Sequence, residues 1–425
     1  MKKVLLLAYH YPPLGGVAVM RVLRFSRYLS AHGWEPVVLC VKDGPKHEPR
    51  DLTLLEEIPP SISVERVKCL EPDNYSDSWD IPREKIVRNL FKTFDKVLFP
   101  DDRALWIRPA TKRALQLIRQ HDIKVVWATA QPWSTLVAGR NIKRACGLPL
   151  VLDFRDDWTS SNADFRKVKR LAKEQALERS VLASADAVVS VTPHIVEQLK
   201  ARAPSALKPE NFHYIPNGFD PSHFEGIKAR TNEDKFTIVH TGGLYHLRPI
   251  KPFLEALEAW FAQHPERRQQ VEIQLAGRTT DSIKEDIEQS PAASCFNIMG
   301  FVDHRTVRQL ILGADLNLLM IERVKTAAWL FTGKVFEYIG ARKPILMLGP
   351  NPSPLAELLT DTGLGTICSY QTPKETAKIL ECLFQAKDEK SDLRNERQIE
   401  RYNAHHQTGQ LAHIFEEVTR REKND

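Results

Sequence analysis

Residues 325–350 read KTAAWLFTGKVFEYIGARKPILMLGP, and this stretch predicts a loop, a helix and a strand in succession. Thr332 and Gly333 are typical of a helix start, because an N-cap hydroxyl accepts an unpaired backbone N–H and glycine lets a ligand approach the chain closely. Lys334 then lies in the first turn of the helix. The apolar run at residues 345–348, bounded by turn residues, indicates a buried strand of a parallel sheet.

The predicted start of this helix suits a phosphate group. Backbone N–H groups, the positive end of the helix dipole and the Lys334 ammonium meet there, and together they favour a diphosphate. Glu337 shares a helix face with Lys334 and is positioned to accept hydrogen bonds from ribose hydroxyls. A surface helix with an ordinary pair of opposite charges would carry the same residues, so this stretch alone leaves both interpretations open.

The string TGKVFEYIGARKPIL at residues 332–346 resembles the donor-nucleotide motif of family-4 glycosyltransferases. The resemblance implies an α/β chain with the GT-B fold, in which two Rossmann-like domains face a central cleft and the C-terminal helix crosses back to the first domain. It also implies a retaining transfer of a sugar from a nucleotide sugar, which is a substrate and not a cofactor. Thr332, Gly333, Lys334 and Glu337 would then bind the donor.

Length and composition limit the other possibilities. A chain of 425 residues fits two domains of about 200 residues each. The 60 Lys and Arg residues exceed the 54 Asp and Glu residues by only 6, which is too small an excess to indicate nucleic acid. The six cysteines include no C-x-x-C pair, which argues against a zinc site or a disulfide framework. We therefore expect a cytoplasmic protein without a metal or a cofactor.

The N-terminal sequence predicts the βαβ opening of a Rossmann-like domain, with strands at residues 3–8 and 34–41 and a helix at 20–29. The first apolar run is too short for a signal peptide, and no run in the chain approaches the length of a bilayer span. Gly15 and Gly16 lie in the first loop, where α/β sheets bind ligands, but the third glycine of a dinucleotide fingerprint is missing. A nicotinamide-dependent enzyme is therefore not expected.

The string PPLGGVAVMR at residues 12–21 resembles an N-terminal pattern of the same family. The resemblance implies that Gly16 meets the donor or the acceptor and that Arg21 belongs to the acceptor side of the cleft. A tight turn that binds no ligand is the alternative for the glycine pair.

A polar cluster, RDDW, follows the strand predicted at residues 150–154. Many family members carry a histidine here that touches the transferred sugar, and Arg155 takes its place, as in a subgroup with a DFRD-x-W motif that acts on bacterial surface glycans. The resemblance implies that Arg155 binds a phosphate or sugar hydroxyls and that Asp156 lies in the cleft. Alternatively, Asp153, Arg155 and Asp156 form a structural ion network. The acids lack the D-x-D spacing of a metal motif.

The second predicted domain follows YIPNGFDPSHF, residues 214–224, which looks like the interdomain connection of the family. We expect an acceptor domain at residues 1–215, a donor domain at 216–390 and a C-terminal helix at 391–425 that packs back toward the first domain. The resemblance also implies donor-binding residues in the loops of the second domain, namely Gly242, Gly243, Arg248, Arg278, Phe301 and Val302.

Residues 82–99 combine an apolar stripe with five basic side chains on one predicted helix. A basic amphipathic helix of this kind can lie on an anionic membrane, which suggests peripheral contact with the inner face of the membrane. A helix that packs its stripe on the domain core and solvates its charges fits the same pattern equally well.

The expected reaction releases a nucleotide diphosphate whose negative charge grows in the transition state. Arg248, Lys334 and Arg155 are the catalytic candidates, because fixed cations aimed at that charge lower the barrier. The acceptor is expected to be a glycan or a lipid-linked sugar in cell-surface polysaccharide synthesis. Trp329 stands where the family's E-x7-E motif has its first acid, which leaves the donor sugar open. A sugar-nucleotide epimerase and a non-catalytic nucleotide-sugar-binding protein are the alternatives.

Overall fold

The computed structural model describes residues 1–46, 48–69, 98–159, 168–245, 250–322, 331–388 and 394–421. The chain divides into two compact units, which we call unit 1 (Met1–Asn217 with Ala404–Asp425) and unit 2 (Gly218–Asn403). Each unit is built on a parallel sheet that alternates with helices along the chain. The predicted α/β class with two Rossmann-like domains is therefore confirmed.

The sheet of unit 1 consists of β1 (Lys2–Leu7), β2 (Trp34–Val41), β3 (Ser63–Val67), β4 (Ile123–Ala130), β5 (Leu150–Phe154), β6 (Ala187–Ser190) and β7 (Phe212–Tyr214). Neighbouring strands are parallel, in the order β3-β2-β1-β4-β5-β6-β7. From Val4 to Leu7, β1 is apolar and buried on both faces, as is typical of a sheet that helices cover on both sides. The order reverses between β1 and β4, and the loops at their carboxyl ends form the crevice where such sheets bind ligands.

The helices of unit 1 connect these strands: α1 (Val17–Tyr28), α2 (Ile107–His121), α3 (Trp133–Cys146), α4 (Val168–Leu182) and α5 (Pro193–Arg202). The prediction placed the first helix at residues 20–29, but α1 begins directly after Gly16. Apolar spacing marks the buried face of a helix and does not register its first turn, which explains this difference. At α5 the predicted cap is confirmed, since the Thr192 hydroxyl accepts the Ile195 N–H at 3.2 Å and Pro193 follows it.

The C-terminal helix, Ala404–Arg421, belongs to unit 1 although the chain before it belongs to unit 2. Its apolar face is buried in the core of unit 1, where Phe415 meets Trp34 edge to face with ring centroids 5.4 Å apart. Near its start, His405 packs against Tyr28 of α1. The predicted return of the last helix to the first domain is therefore confirmed, and burial of this apolar face stabilises it there.

The sheet of unit 2 consists of β8 (Phe236–Thr241), β9 (Val271–Ala276), β10 (Phe296–Gly300), β11 (Leu316–Met320), β12 (Ile345–Leu348) and β13 (Gly365–Cys368). Neighbouring strands are again parallel, in the order β10-β9-β8-β11-β12-β13. This is the strand order of mononucleotide-binding α/β sheets, with its reversal between β8 and β11. The carboxyl ends of these two strands are therefore where a ligand is expected.

The helices of unit 2 are α6 (Lys251–Gln263), α7 (Arg267–Gln270), α8 (Asp281–Glu288), α9 (His304–Gly313), α10 (Gly333–Ala341), α11 (Pro354–Asp361), α12 (Pro373–Gln385) and α13 (Glu396–Glu400). The opening stretch of the sequence analysis folds as predicted, because α10 is followed directly by β12. The apolar face of α10 is fully buried, with Val335, Phe336 and Ile339 at 0% exposure. That burial orients the opposite face, which carries the polar residues.

Some predicted features lie outside the described residues. These are Arg248, Trp329 and nearly all of the basic helix predicted at residues 82–99. All six cysteines lie within the described ranges and are free thiols. None of the helices described above is both long and apolar enough to cross a bilayer.

Candidate functional site

In unit 2 the loop after β8 and the first turn of α10 lie against each other. A Cβ atom built on Gly242 would be 3.1 Å from Nζ of Lys334 and 3.3 Å from its Cε. Gly242 also has φ +90, a conformation that side chains rarely adopt. Glycine is therefore strongly favoured at this position, and it brings the backbone after β8 next to the predicted phosphate-binding lysine.

The ends of three neighbouring strands are joined through glycines at this edge of the sheet. Gly242 donates its N–H to the Ala276 carbonyl at 2.7 Å, and Gly277 donates to the Gly300 carbonyl at 2.7 Å. Gly277 has φ +147, and a Cβ built there would come within 2.9 Å of the Gly242 Cα. The strand ends are thus packed backbone to backbone, which exposes main-chain groups to a ligand without side chains in the way.

His240, near the end of β8, contacts Lys334 from inside the unit. It is fully buried, with Nδ1 2.8 Å from the Leu318 carbonyl oxygen and Nε2 3.2 Å from Lys334 Nζ. His240 was not predicted as a site residue. The available signal was an ionisable side chain inside a fully buried strand.

Tyr338 connects the same helix to the end of β8. Its hydroxyl oxygen accepts the Thr241 N–H at 2.9 Å and lies 3.1 Å from the Thr241 hydroxyl. Burial raises the pKa of Tyr338 to about 12, so the phenol stays protonated at neutral pH. Lys334 is therefore held on a helix that is anchored to the strand beside it.

Thr332 is the N-cap residue of α10, as predicted, but its hydroxyl does not cap the helix. The N–H of Val335, which such a hydroxyl would receive, donates instead to the Thr332 carbonyl at 3.2 Å. Thr332 Oγ1 is buried and has no hydrogen-bond partner among the residues that the structure describes. The predicted capping bond was therefore wrong, while the predicted helix start at Gly333 is confirmed.

The other predicted donor-binding residues surround this edge. The Arg278 carbonyl accepts the Leu244 N–H at 2.9 Å, next to Gly243, while the Arg278 residue itself is exposed. Phe301 follows Gly300, whose carbonyl accepts the Gly277 N–H. Phe301 is 90% exposed, and Val302 beside it is half-buried. Glu337 lies one turn beyond Lys334 on α10 and is half-buried.

A carboxylate also reaches this edge. Glu322 follows β11 at the strand reversal, and Tyr245, in the loop after β8, donates its hydroxyl to that carboxylate. The Tyr245 ring lies 3.8 Å from the Cβ position of Gly243. No role was predicted from the sequence for Tyr245 or Glu322.

In unit 1, Arg21 is enclosed in the core. It is 2% exposed, it pairs with the fully buried Asp153, and it donates to the Ile215 and Pro216 carbonyls at 3.0 and 2.9 Å. Thr129 donates its hydroxyl to the same carboxylate at 2.6 Å. This environment does not match the acceptor contact expected for Arg21; it ties α1 to β5 and to the end of the first domain.

Arg155 connects the first turn of α1 with the end of β4 at the carboxyl edge of unit 1. Its guanidinium donates to the backbone carbonyls of Ala18, Ala130 and Gln131, the last at 3.0 Å. Burial lowers the pKa of Arg155 to about 10. The alternative prediction was an ion network of Asp153, Arg155 and Asp156. It is not formed as expected, because Asp153 pairs with Arg21.

Further polar residues lie at the same edge. Asp156 accepts a hydrogen bond from Gln131 Nε2 at 3.1 Å, and burial raises the pKa of this carboxyl. His10 contacts Glu48 at 3.2 Å through Nε2, and its Nδ1 lies 3.2 Å from the Gln131 carbonyl. Gly16 precedes α1 beside this edge. The sequence analysis did not identify His10 or Glu48.

Within the described ranges, no set of three His, Cys, Asp or Glu side chains converges in a way that would hold a metal ion.

Residues 14–223 match the sequence model of the family described as Glycosyltransferase Family 4. This part of the chain is therefore similar to the family-4 glycosyltransferases. The matched range includes Gly16, Arg155 and Asp156 at the crevice of unit 1, and also the buried Arg21 of α1. No curated protein sequence matches this chain.

Solved structures extend the comparison to the whole chain. HepE of Anabaena, in complex with UDP, is 16% identical, with a TM-score of 0.63 over 98% of this chain and 100% of that chain. Sucrose-phosphate synthase from Thermosynechococcus elongatus is 14% identical, with a TM-score of 0.63 over 98% of this chain and 99% of that chain. An α,α-trehalose-phosphate synthase (UDP-forming) from Burkholderia vietnamiensis is 10% identical, with a TM-score of 0.64 over 99% of both chains.

These likenesses concern the fold, which is GT-B. The family match in unit 1 and the GT-B fold of the whole chain together identify the protein as a glycosyltransferase.

Proposed function

We propose that the glycosyltransferase moves a sugar from a nucleotide-sugar donor to a glycan or lipid-linked acceptor, with retention and without a metal, in cell-surface polysaccharide synthesis. The observation that carries the proposal is the position of Lys334. Its ammonium lies at the start of α10 and beside the backbone of Gly242, at the strand reversal of unit 2. A cation, helix N–H groups and exposed glycine backbone at one point suit a diphosphate.

The proposed chemistry depends on stabilising the leaving group. As the sugar leaves, negative charge grows on the diphosphate, and preorganised donors aimed at that charge are worth about 3 kcal/mol each. Lys334 supplies a fixed cation, and the N–H groups of Gly333 and Lys334 add backbone donors. Arg155 remains a proposed contributor, and so does Arg248, which lies outside the described residues.

The identity of the donor is proposed from the similar structures. The HepE structures were solved with UDP and with UDP-glucose, which supports a nucleotide sugar as the donor of this protein. Glu337 is proposed to meet the ribose, and Phe301 with Val302 to flank the base. Retention with same-face attack, in which the leaving phosphate takes the acceptor proton, is proposed from the family that unit 1 matches.

The acceptor side is proposed from unit 1. Arg155 and Asp156 lie at the carboxyl edge of its sheet, which is the edge where α/β sheets bind ligands. The DFRD-x-W string supports a surface-glycan acceptor. Residues 82–99 are proposed to bring the cytoplasmic protein to an anionic membrane surface, and sedimentation with anionic liposomes tests this against a variant with Gln at Arg88, Lys92 and Lys96.

The proposal is tested by incubating the purified full chain with UDP-sugars and GDP-sugars in the presence of a membrane lipid extract. We expect one donor to release UDP or GDP only when the extract is present, and we expect the rate to survive EDTA. A chain that binds nucleotide but releases none from any donor would contradict the transferase proposal. A rate abolished by EDTA and restored by a divalent cation would contradict metal independence alone.

A further inference from the structure

We propose that His240 is a positioning residue that holds the Lys334 ammonium at the diphosphate site. This inference rests on the proposed function, in which Lys334 meets the donor diphosphate. His240 is fully buried in β8, and Lys334 lies in the first turn of α10, 94 positions further along the chain. The ring nitrogen Nε2 and the ammonium Nζ are 3.2 Å apart.

The Leu318 carbonyl determines which nitrogen of His240 carries hydrogen. His240 Nδ1 is 2.8 Å from this oxygen, and a carbonyl oxygen only accepts, so Nδ1 is the donor. In the neutral ring Nε2 is then an acceptor, and it faces Lys334. An ammonium only donates, so the contact is a hydrogen bond from Lys334 to a neutral imidazole. A second proton on the ring would set two donors against each other.

This bond gives Lys334 a defined position. A free lysine side chain samples many rotamers, and a donor that must be ordered during the reaction contributes less than one already in place. His240 accepts a hydrogen bond from the ammonium on the side of the sheet. The ammonium also lies 3.1 Å from the position that a Cβ atom on Gly242 would take, so the missing side chain leaves room for it there. The lysine is therefore held beside the strand end before a nucleotide arrives.

Two substitutions separate this role from a structural one. In His240→Asn the side-chain amide keeps a donor toward Leu318 but is too short to reach Lys334. In His240→Gln the amide oxygen reaches the position of Nε2 and can accept from Lys334, whereas the donor toward Leu318 is lost. A residue that only ties β8 to β11 through Leu318 would tolerate the asparagine better, and a residue that positions Lys334 would tolerate the glutamine better.

The test is calorimetric titration of the full chain with UDP and with GDP, on wild type, His240→Asn, His240→Gln, Lys334→Ala and the His240→Asn/Lys334→Ala double variant. We expect His240→Asn to weaken binding of the preferred nucleotide about 10-fold or more, as for a lost hydrogen bond to a charged group. His240→Gln should stay within about threefold of wild type. The double variant should bind no more weakly than Lys334→Ala, because coupled residues are not additive.

The outcomes distinguish this inference from the proposed function. If Lys334→Ala weakens binding and His240→Asn does not, the positioning role is overturned and the diphosphate site stands. If Lys334→Ala binds as wild type does, the diphosphate site itself fails. Should His240→Asn not fold, as judged by circular dichroism, the folded His240→Gln protein decides the matter, and a loss of more than about 10-fold in its affinity overturns the inference.

Discussion

Arg21 and Asp153 form an ion pair that is enclosed in the core of unit 1. Arg21 Nη2 lies 2.8 Å from one carboxylate oxygen of Asp153 and Nε lies 3.1 Å from the other. The two side chains are 2% and 0% exposed. Because the same guanidinium also binds the carbonyls of Ile215 and Pro216, one residue of α1 secures both a central strand and the end of the first domain segment.

Replacing Arg21 with Met should lower the free energy of unfolding by about 3–5 kcal/mol, because the Asp153 carboxylate would stay buried without its cation. Urea denaturation measures the change. The matched control is Lys124→Met, which removes an exposed pair with Asp122 and should cost less than about 1 kcal/mol. An Arg21→Met protein with normal stability and reduced turnover would instead favour the acceptor contact predicted from the sequence.

Lys334→Ala should reduce turnover by about 100-fold or more while leaving the fold intact, because one preorganised donor is lost from the leaving group. Lys334→Arg should recover only part of the rate, since a planar guanidinium does not place its donors as an ammonium does. Steady-state release of the nucleotide checks both variants, and circular dichroism checks the fold. Near-normal turnover of Lys334→Ala would remove the diphosphate assignment.

Glu337→Gln should weaken nucleotide binding by about 1.5–3 kcal/mol, because the neutral amide is a poorer acceptor for ribose hydroxyls than the carboxylate. Isothermal titration calorimetry with the preferred nucleotide measures the change. Glu357→Gln, on an exposed position of α11, is the control and should bind as wild type does. If Glu337→Gln and Glu357→Gln both bind the nucleotide with wild-type affinity, Glu337 does not contact the ribose and has only a structural role.

Gly242→Ala should destabilise unit 2 by about 1–3 kcal/mol, because its φ of +90 is strained for alanine and the added methyl group would crowd Lys334 at 3.1 Å. Gly243→Ala is a matched control for stability. Its φ is not in the positive range, and the nearest atom to its Cβ position is 3.7 Å away. Chemical denaturation should therefore show a larger loss of unfolding free energy for Gly242→Ala than for Gly243→Ala. Equal losses of unfolding free energy would contradict the close approach of the Gly242 backbone to Lys334.

Because of Glu381, the free energy of unfolding should decrease as the pH falls through the acid range. Hydrogen bonds from Arg267, with further ones from Trp260 and Gln385, lower the pKa of Glu381 from its ordinary 4.5 to about 2. A carboxyl whose folded pKa lies below its unfolded pKa contributes stability that is full above about pH 4.5 and is lost as the pH falls toward 2.

Urea midpoints at pH 7, 4.5 and 3 measure this effect. The wild-type midpoint should fall between pH 4.5 and 3 by more than that of Glu381→Gln, which has no proton to take up at this position. Glu285→Gln, at an exposed position of α8, is the control and should follow the wild-type profile. A Glu381→Gln profile parallel to that of wild type would show that the Arg267 contact does not stabilise the unit.

Much of the fold could be predicted because it depends on local sequence. Apolar runs such as residues 345–348 mark strands that are buried on both faces, and Thr192 with Pro193 marks a helix start through chemistry within one turn. The glycines and Lys334 of the candidate site were found for the same reason. Their meaning comes from backbone conformation and from position at a helix terminus, and both can be read over a few residues.

The partners of these residues were decided by the tertiary structure. Lys334 meets His240 and Arg21 meets Asp153 only because the strand order sets β8 beside β11 and α1 beside β5. Arg155 was expected to face a ligand, yet its donors are taken by the carbonyls of Ala18 in α1 and of Ala130 and Gln131 at the end of β4. The sequence around a charged side chain does not show which distant oxygen atom will bind it in the folded protein. That choice depends on the packing of the sheets, because a buried charge must find its partners wherever the fold brings them.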